Sequence, residues 1–150
     1  MILILACGNS LRSDDGAGLR LAEALEQRWQ ARAVPVKRLA VHQLTPELAP
    51  ELADEVVTTV VFVDTRLAPP DEAHPRVQIE PVTAGPTARL GHHLTPATLL
   101  AYAELLYRAR VKAWQVTVPG LNFEHGESLS AVAAQALAEV DAGALLERIS

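Results

Sequence analysis

Apolar runs of strand length alternate along the chain with stretches in which apolar residues recur every three or four positions. Ile2–Ala6 is a continuous apolar run, the pattern of a parallel strand covered on both faces. Ser13-Asp14-Asp15-Gly16 then offers an N-cap, and Leu19, Ala22, Leu25 and Trp29 follow at helical spacing. Val34–Val41 predicts a second strand. Thr45-Pro46-Glu47 combines a capping hydroxyl, a proline at the first helical position and an acid in the first turn, opening a short helix over Leu48–Ala53. Val56–Val63 is rich in β-branched residues and predicts a central strand ending at Asp64. Val77–Val82 predicts a strand whose prolines suit a sheet edge. Thr95-Pro96 repeats the cap-plus-proline signal before a helix over Ala97–Arg108. Ala113–Val118 predicts another strand, stopped by Pro119-Gly120. From Ser128 onward, Leu129, Val132, Ala133, Ala136, Leu137 and Val140 follow the helical period and predict one long final helix. Trp29, Phe62 and Trp114 are the aromatic core candidates.

Strands alternating with helices specify a three-layer α/β/α sandwich, with a mostly parallel central sheet of about five strands. Such sheets bind ligands beyond the carboxyl ends of their strands, where strand order reverses. Attention therefore falls on the loops after Ala6, Val63 and Val118. With 150 residues, 49% of them hydrophobic and 21% charged, the chain is expected to form one domain spanning 1–150. Its formal net charge of −5 provides no basic face for nucleic acid. The single Cys7 excludes an intrachain disulfide and a cysteine-rich zinc site, and suits a reducing compartment. The opening apolar run lacks a preceding basic region and is too short for a signal sequence or a membrane span. A cytoplasmic monomer without membrane partners is the expectation.

Signatures of phosphate loops, serine hydrolases and zincins are missing from the sequence. Gly16 and Gly18 do not have dinucleotide-binding spacing, and the aspartates at that bend would repel a pyrophosphate. Asp14 reads as the cap of the following helix, and Asp15 as a complement to its dipole. A second acid beside the first raises the cost of local negative charge unless a cation offsets it. Asp64, at a strand end, reads either as an Asx turn or as a second carboxylate converging with Asp15 at the sheet edge. Such a pair could share a proton or hold a metal. In Gly91-His92-His93-Leu94-Thr95-Pro96, a loop feeding a helix near the same edge, an imidazole could join them. Two carboxylates and one imidazole suit nickel or zinc and leave coordination positions open. Cys7 reads as a small buried hydrophobe. Glu124, His125 and Glu127 read as acids and a histidine before the last helix, and His42-Gln43-Leu44 as a possible cleft wall.

Gly8-Asn9-x-Leu11-x-x-Asp14-Asp15-Gly16-x-Gly18 resembles the N-terminal signature of the hydrogenase maturation proteases. Further segments follow in that family's order: Gln43-Leu44-x-Pro46-Glu47-Leu48, Phe62-Val63-Asp64, His92-His93-Leu94-x-Pro96 and Gly126-Glu127-x-Leu129-Ser130. The resemblance spans nearly the whole chain. It implies an endopeptidase that removes the C-terminal extension of a nickel–iron hydrogenase large-subunit precursor after nickel insertion. Nickel would be supplied by that precursor and serve as the recognition element. By motif position, the metal-contacting residues fall on Asp15, Asp64 and His92, with His93 the neighbouring alternative, and Asp15 and Asp64 are the implied catalytic pair. Asp15 stands where relatives often carry the longer Glu. Two other readings remain open from the residues: a metal-independent acid-protease pair made of Asp15 and Asp64, and a module that binds metal or precursor without cutting.

Overall fold

In a computed structural model the described residues are 1–85 and 94–150. Among these residues, five strands and five helices follow in the order β1 (Ile2–Cys7), α1 (Ala17–Gln30), β2 (Val36–Val41), α2 (Ala49–Leu52), β3 (Thr59–Leu67), β4 (Gln78–Val82), α3 (Pro96–Tyr107), β5 (Lys112–Gly120), α4 (Ala131–Glu139) and α5 (Ala142–Ile149). The strands form one sheet in the order β2-β1-β3-β5-β4. Only β4 runs antiparallel, at the edge. The expected α/β/α sandwich is present.

Period-two alternation sends successive strand residues to opposite layers. Ile2, Ile4, Val61, Val63, Val116 and Val118 face α1, α4 and α5, where Leu21, Leu25 and Trp29 are buried among them. Leu3, Leu5, Val60, Phe62 and Ala113 face α2 and α3, against Leu52, Leu99 and Leu100. Each such side chain, once fully buried, contributes roughly 1.5–3 kcal/mol of transfer free energy. Trp29 satisfies its indole by donating from Nε1 to the Ala142 carbonyl at 2.8 Å, tying α1 to α5. Phe62 is also buried, whereas Trp114 is only partly so, lying beneath Arg148 with the guanidinium carbon 5.5 Å from the ring centroid.

The structure corrects several element boundaries. β3 does not stop at Asp64, because its ladder with β5 continues through Asp64↔Thr117 to Leu67↔Gly120 after β1 has ended. β5 likewise runs through Pro119; pairing with β4 begins at Thr117, so the missing proline N–H lies beyond that ladder. Thr45 makes no side-chain cap; a 3-10 turn over Pro46–Leu48 leads into α2 instead. The predicted long final helix is two. Val140 is extended (φ −68°, ψ 131°), and the Asp141 side chain caps α5 by accepting from the Ala144 N–H at 3.0 Å. The break redirects α5 so that Leu146 and Ile149 return to the core. At Thr95 the expected cap is present, its Oγ1 accepting from the Thr98 N–H at 3.2 Å.

Candidate functional site

β1 sends the chain to β2 on one side and pairs with β3 on the other, so strand order reverses between β1 and β3. A cleft of about 370 Å³ opens beyond their carboxyl ends, with Cys7, Asp15, Asp64 and Gln115 among its walls. Arg12 and His42-Gln43-Leu44 form part of its rim, and Leu94 and Pro96 at the start of α3 complete another side. Asp15 and Asp64, far apart in sequence, thus meet at one opening. A larger groove of about 570 Å³ lies between β4 and α4–α5, but its carboxylates are the dispersed Glu139, Asp141 and Glu147.

Two glycines allow this meeting. A side chain at Gly8 would collide with the Asp15 carbonyl oxygen, and a Cβ at Gly18 would stand 2.9 Å from the Asp64 carbonyl carbon. Both positions let the 3-10 turn Ser13–Gly16 and the start of α1 settle directly on the ends of β1 and β3. The Gly18 N–H also donates to Thr65 Oγ1 at 3.0 Å. Within the turn, Asp15 Oδ2 accepts the Asn9 N–H at 2.8 Å. Asp64 Oδ1 accepts the N–H of Thr65 at 2.7 Å.

The adjacent Asp14 does something else. It is not the cap of α1, which has no side-chain cap at all. Its carboxylate is fully buried and takes four hydrogen bonds. The Leu121 and Asn122 N–H groups donate to Oδ2 at 2.7 and 3.0 Å, the Ser130 N–H to Oδ1 at 2.7 Å and the Ser130 hydroxyl to Oδ2 at 2.6 Å. Asp14 therefore fastens the turn after β1 to the segment between β5 and α4. Ser13 shares the work: with φ at 52° it donates from its N–H to the Gly126 carbonyl at 2.7 Å and from Oγ to the Glu124 carbonyl at 2.8 Å. Arg12 Nε donates to the Phe123 carbonyl at 3.2 Å.

Electrostatics separate these acids. Burial pushes Asp64 up to about 6, opposed by the Thr65 N–H and assisted by the negative charge of Asp15. Burial acts in the same direction on Asp14, but the Ser130 hydroxyl and the Leu121, Asn122 and Ser130 N–H groups outweigh it and hold the carboxyl below its ordinary value. Cys7 is pushed up to about 12 by burial and by the carboxylates of Asp64 and Asp15, so it sits in the cleft as a neutral thiol.

Of the residues singled out from sequence, Asp15, Asp64, Cys7 and His42-Gln43-Leu44 come together in the cleft. Glu124, His125 and Glu127 are exposed in the segment before α4 and are not among its walls. His92 and His93 lie outside the described residues. Among the described residues, no three His, Cys, Asp or Glu side chains are grouped to hold a metal ion. Sequence reasoning missed Gln115 and Arg12 as wall residues and Ser130 as the partner of Asp14. Gln115 had a signal: polar residues at alternate positions in Trp114-Gln115-Val116-Thr117-Val118 mark one polar face. No helix among the described residues is long and apolar enough to cross a membrane.

No protein-family model and no curated protein matches the chain. Among solved structures it is similar to the hydrogenase maturating endopeptidase HybD from E. coli, with a TM-score of 0.63, 22% identity, and coverage of 98% of this chain and 93% of that one. It is also similar to the [NiFe] hydrogenase maturation protease HycI from Thermococcus kodakarensis, with a TM-score of 0.65, 19% identity and 99% and 91% coverage. A hydrogenase 2 maturation peptidase from a Thaumarchaeota archaeon gives 0.64, 20%, and 99% and 97%. The chain has the fold of these proteins over essentially its full length.

Proposed function

We propose that this chain is a hydrogenase maturation endopeptidase, removing the C-terminal extension of a nickel–iron hydrogenase large-subunit precursor after nickel insertion. The observation that carries the reading is the convergence of Asp15 and Asp64 on one cleft at the strand-order reversal. The fold shared with maturation endopeptidases and the sequence motifs around both residues support it.

The donor chemistry suits a substrate that carries its own cation. Asp15 and Asp64 each commit one oxygen to a backbone N–H described above, leaving oxygen donors for a borderline divalent ion. The mutual repulsion that helps raise Asp64 would be relieved by a positive charge between them. His92, by motif position, would add an imidazole. Precursor-held nickel supplies Lewis acidity and a tether. The chain's own residues do the rest: the cleft walls hold the scissile peptide beside the carboxylates, turning recognition into proximity. A carboxylate of the pair, placed in the cleft beside the scissile peptide, would take a proton from an attacking water and return it to the leaving amide nitrogen.

A second reading has a specific observation behind it. The charge of Asp15 contributes to the raised proton affinity of Asp64, the relation expected of two carboxylates sharing one proton. That pair would cut without nickel. Incubating the protein with nickel-loaded and nickel-free large-subunit precursor and reading intact mass separates the readings. Trimming of the loaded precursor alone supports the first, trimming of both supports the acid pair, and a stable complex of unchanged mass supports a binding module. In the first case His92→Ala is expected to slow trimming more than His93→Ala.

A further inference from the structure

An endopeptidase must hold its substrate extended, because only an extended chain presents free amides and carbonyls to the enzyme. The register of β3 and β5 pairs Phe62 with Gln115 and Asp64 with Thr117, so these four side chains share one face of the sheet. On the next strand β4 pairs Glu80 with Gln115 and Gln78 with Thr117. From Asp64 outward, that face therefore carries Thr117 and then Gln78, with Gln115 in the adjoining row. The opposite face of the same strands is apolar, with Val116 and Val118 buried and Ile79 packed against them. Gln115 lines the cleft together with Asp64. It and Thr117 are half-buried, whereas Gln78 is exposed.

The row adjoins the cleft through Asp64 and Gln115 and leads away from Asp64 to the edge of the sheet. Crossing from β3 to β4 takes two interstrand steps, roughly 10 Å, the span of about three extended residues. Thr117, Gln115 and Gln78 are neutral and carry both donors and acceptors, which suits a peptide main chain, while Glu80 puts one carboxylate at the exposed edge beyond Gln115. On its own face of β5, Gln115 lies between the buried Ala113 and the half-buried Thr117.

We propose that an extended segment of the substrate flanking the scissile bond lies across this row, with Gln115 as a positioning residue whose carboxamide hydrogen-bonds the segment's main chain beside Asp64. This rests on the endopeptidase reading above. The test compares Gln115→Leu, Gln115→Asn and Thr117→Val with the unaltered protein on nickel-loaded large-subunit precursor. Gln115→Leu is expected to lower kcat/KM about tenfold, chiefly through KM, with Gln115→Asn recovering part of the loss. In an Asp64→Asn background, Gln115→Leu is expected to weaken precursor binding by the same factor. Thr117→Val keeps the side-chain shape, so it carries the test if circular dichroism shows Gln115→Leu misfolded, and a several-fold rise in KM is expected. Unchanged kcat/KM in folded Gln115→Leu and Thr117→Val, beside an unaltered protein that cuts, overturns the positioning role alone. An unaltered protein that neither cuts nor binds the precursor overturns the endopeptidase reading, and this proposal with it.

Discussion

Asp14 and Asp64 both lie close to Asp15, yet the fold treats them in opposite ways. Around Asp14 the chain folds back on itself: four donors from Leu121, Asn122 and Ser130 surround a carboxylate with no exposure to solvent. Around Asp64 one N–H is supplied by the next residue, the cleft is open, and the charge of Asp15 opposes its ionisation. One acid is held charged by saturation and makes the turn rigid. The other accepts one N–H among the described residues and is available to a ligand or a proton. The two environments thus drive the proton affinities of the carboxylates apart.

The contrast breaks most visibly in activity. Asp64→Asn or Asp15→Asn is expected to abolish trimming of nickel-loaded precursor, at least a thousandfold or about 4 kcal/mol in transition-state terms, with the fold unchanged by circular dichroism. Full trimming by Asp64→Asn, seen by mass spectrometry, would remove the proposed chemistry. Next in size is Asp14→Asn, which leaves buried donors facing an amide and is expected to cost about 3 kcal/mol in urea unfolding at neutral pH. Because the folded state depresses the Asp14 pKa, its contribution is present above the unfolded value and lost as pH falls through the folded one. The deficit of Asp14→Asn should therefore shrink in acid.

Asp64 sharpens the comparison with the reverse sign. Its folded pKa of about 6 exceeds the unfolded value, so the ordinary protein loses stability as pH rises from the unfolded pKa to about 6. Asp64→Asn escapes that loss and is expected to be more stable at pH 7 by about 1–2 kcal/mol, after discounting for partial exposure. The gain should vanish near pH 4 and be visible as a pH-dependent gap between the two urea midpoints. A variant that is inactive yet more stable would mark the cleft as a place where folding is compromised by charge. The smallest effect is expected far from both acids: Asp141→Ala removes only the α5 cap, costing about 1 kcal/mol in the same unfolding measurement and leaving trimming rate unchanged.

Local pattern alone determined the alternation of strands and helices, the edge position of Val77–Val82 and the Thr95 cap, because periodicity and capping are properties of adjacent residues. It also marked Asp15 and Asp64, since they follow the predicted first and third strands in a sheet that binds ligands beyond its carboxyl ends. The continuation of β3 past Asp64, however, depends on β5, and the break at Val140 depends on where Leu146 and Ile149 find the core. The fate of Asp14 is the clearest case. A cap and a buried four-donor knot look alike in the string Ser13-Asp14-Asp15-Gly16, because the donors are supplied from residues more than a hundred positions away. Periodicity settles what a residue's neighbours do; only chain closure in three dimensions settles which distant amides a carboxylate meets.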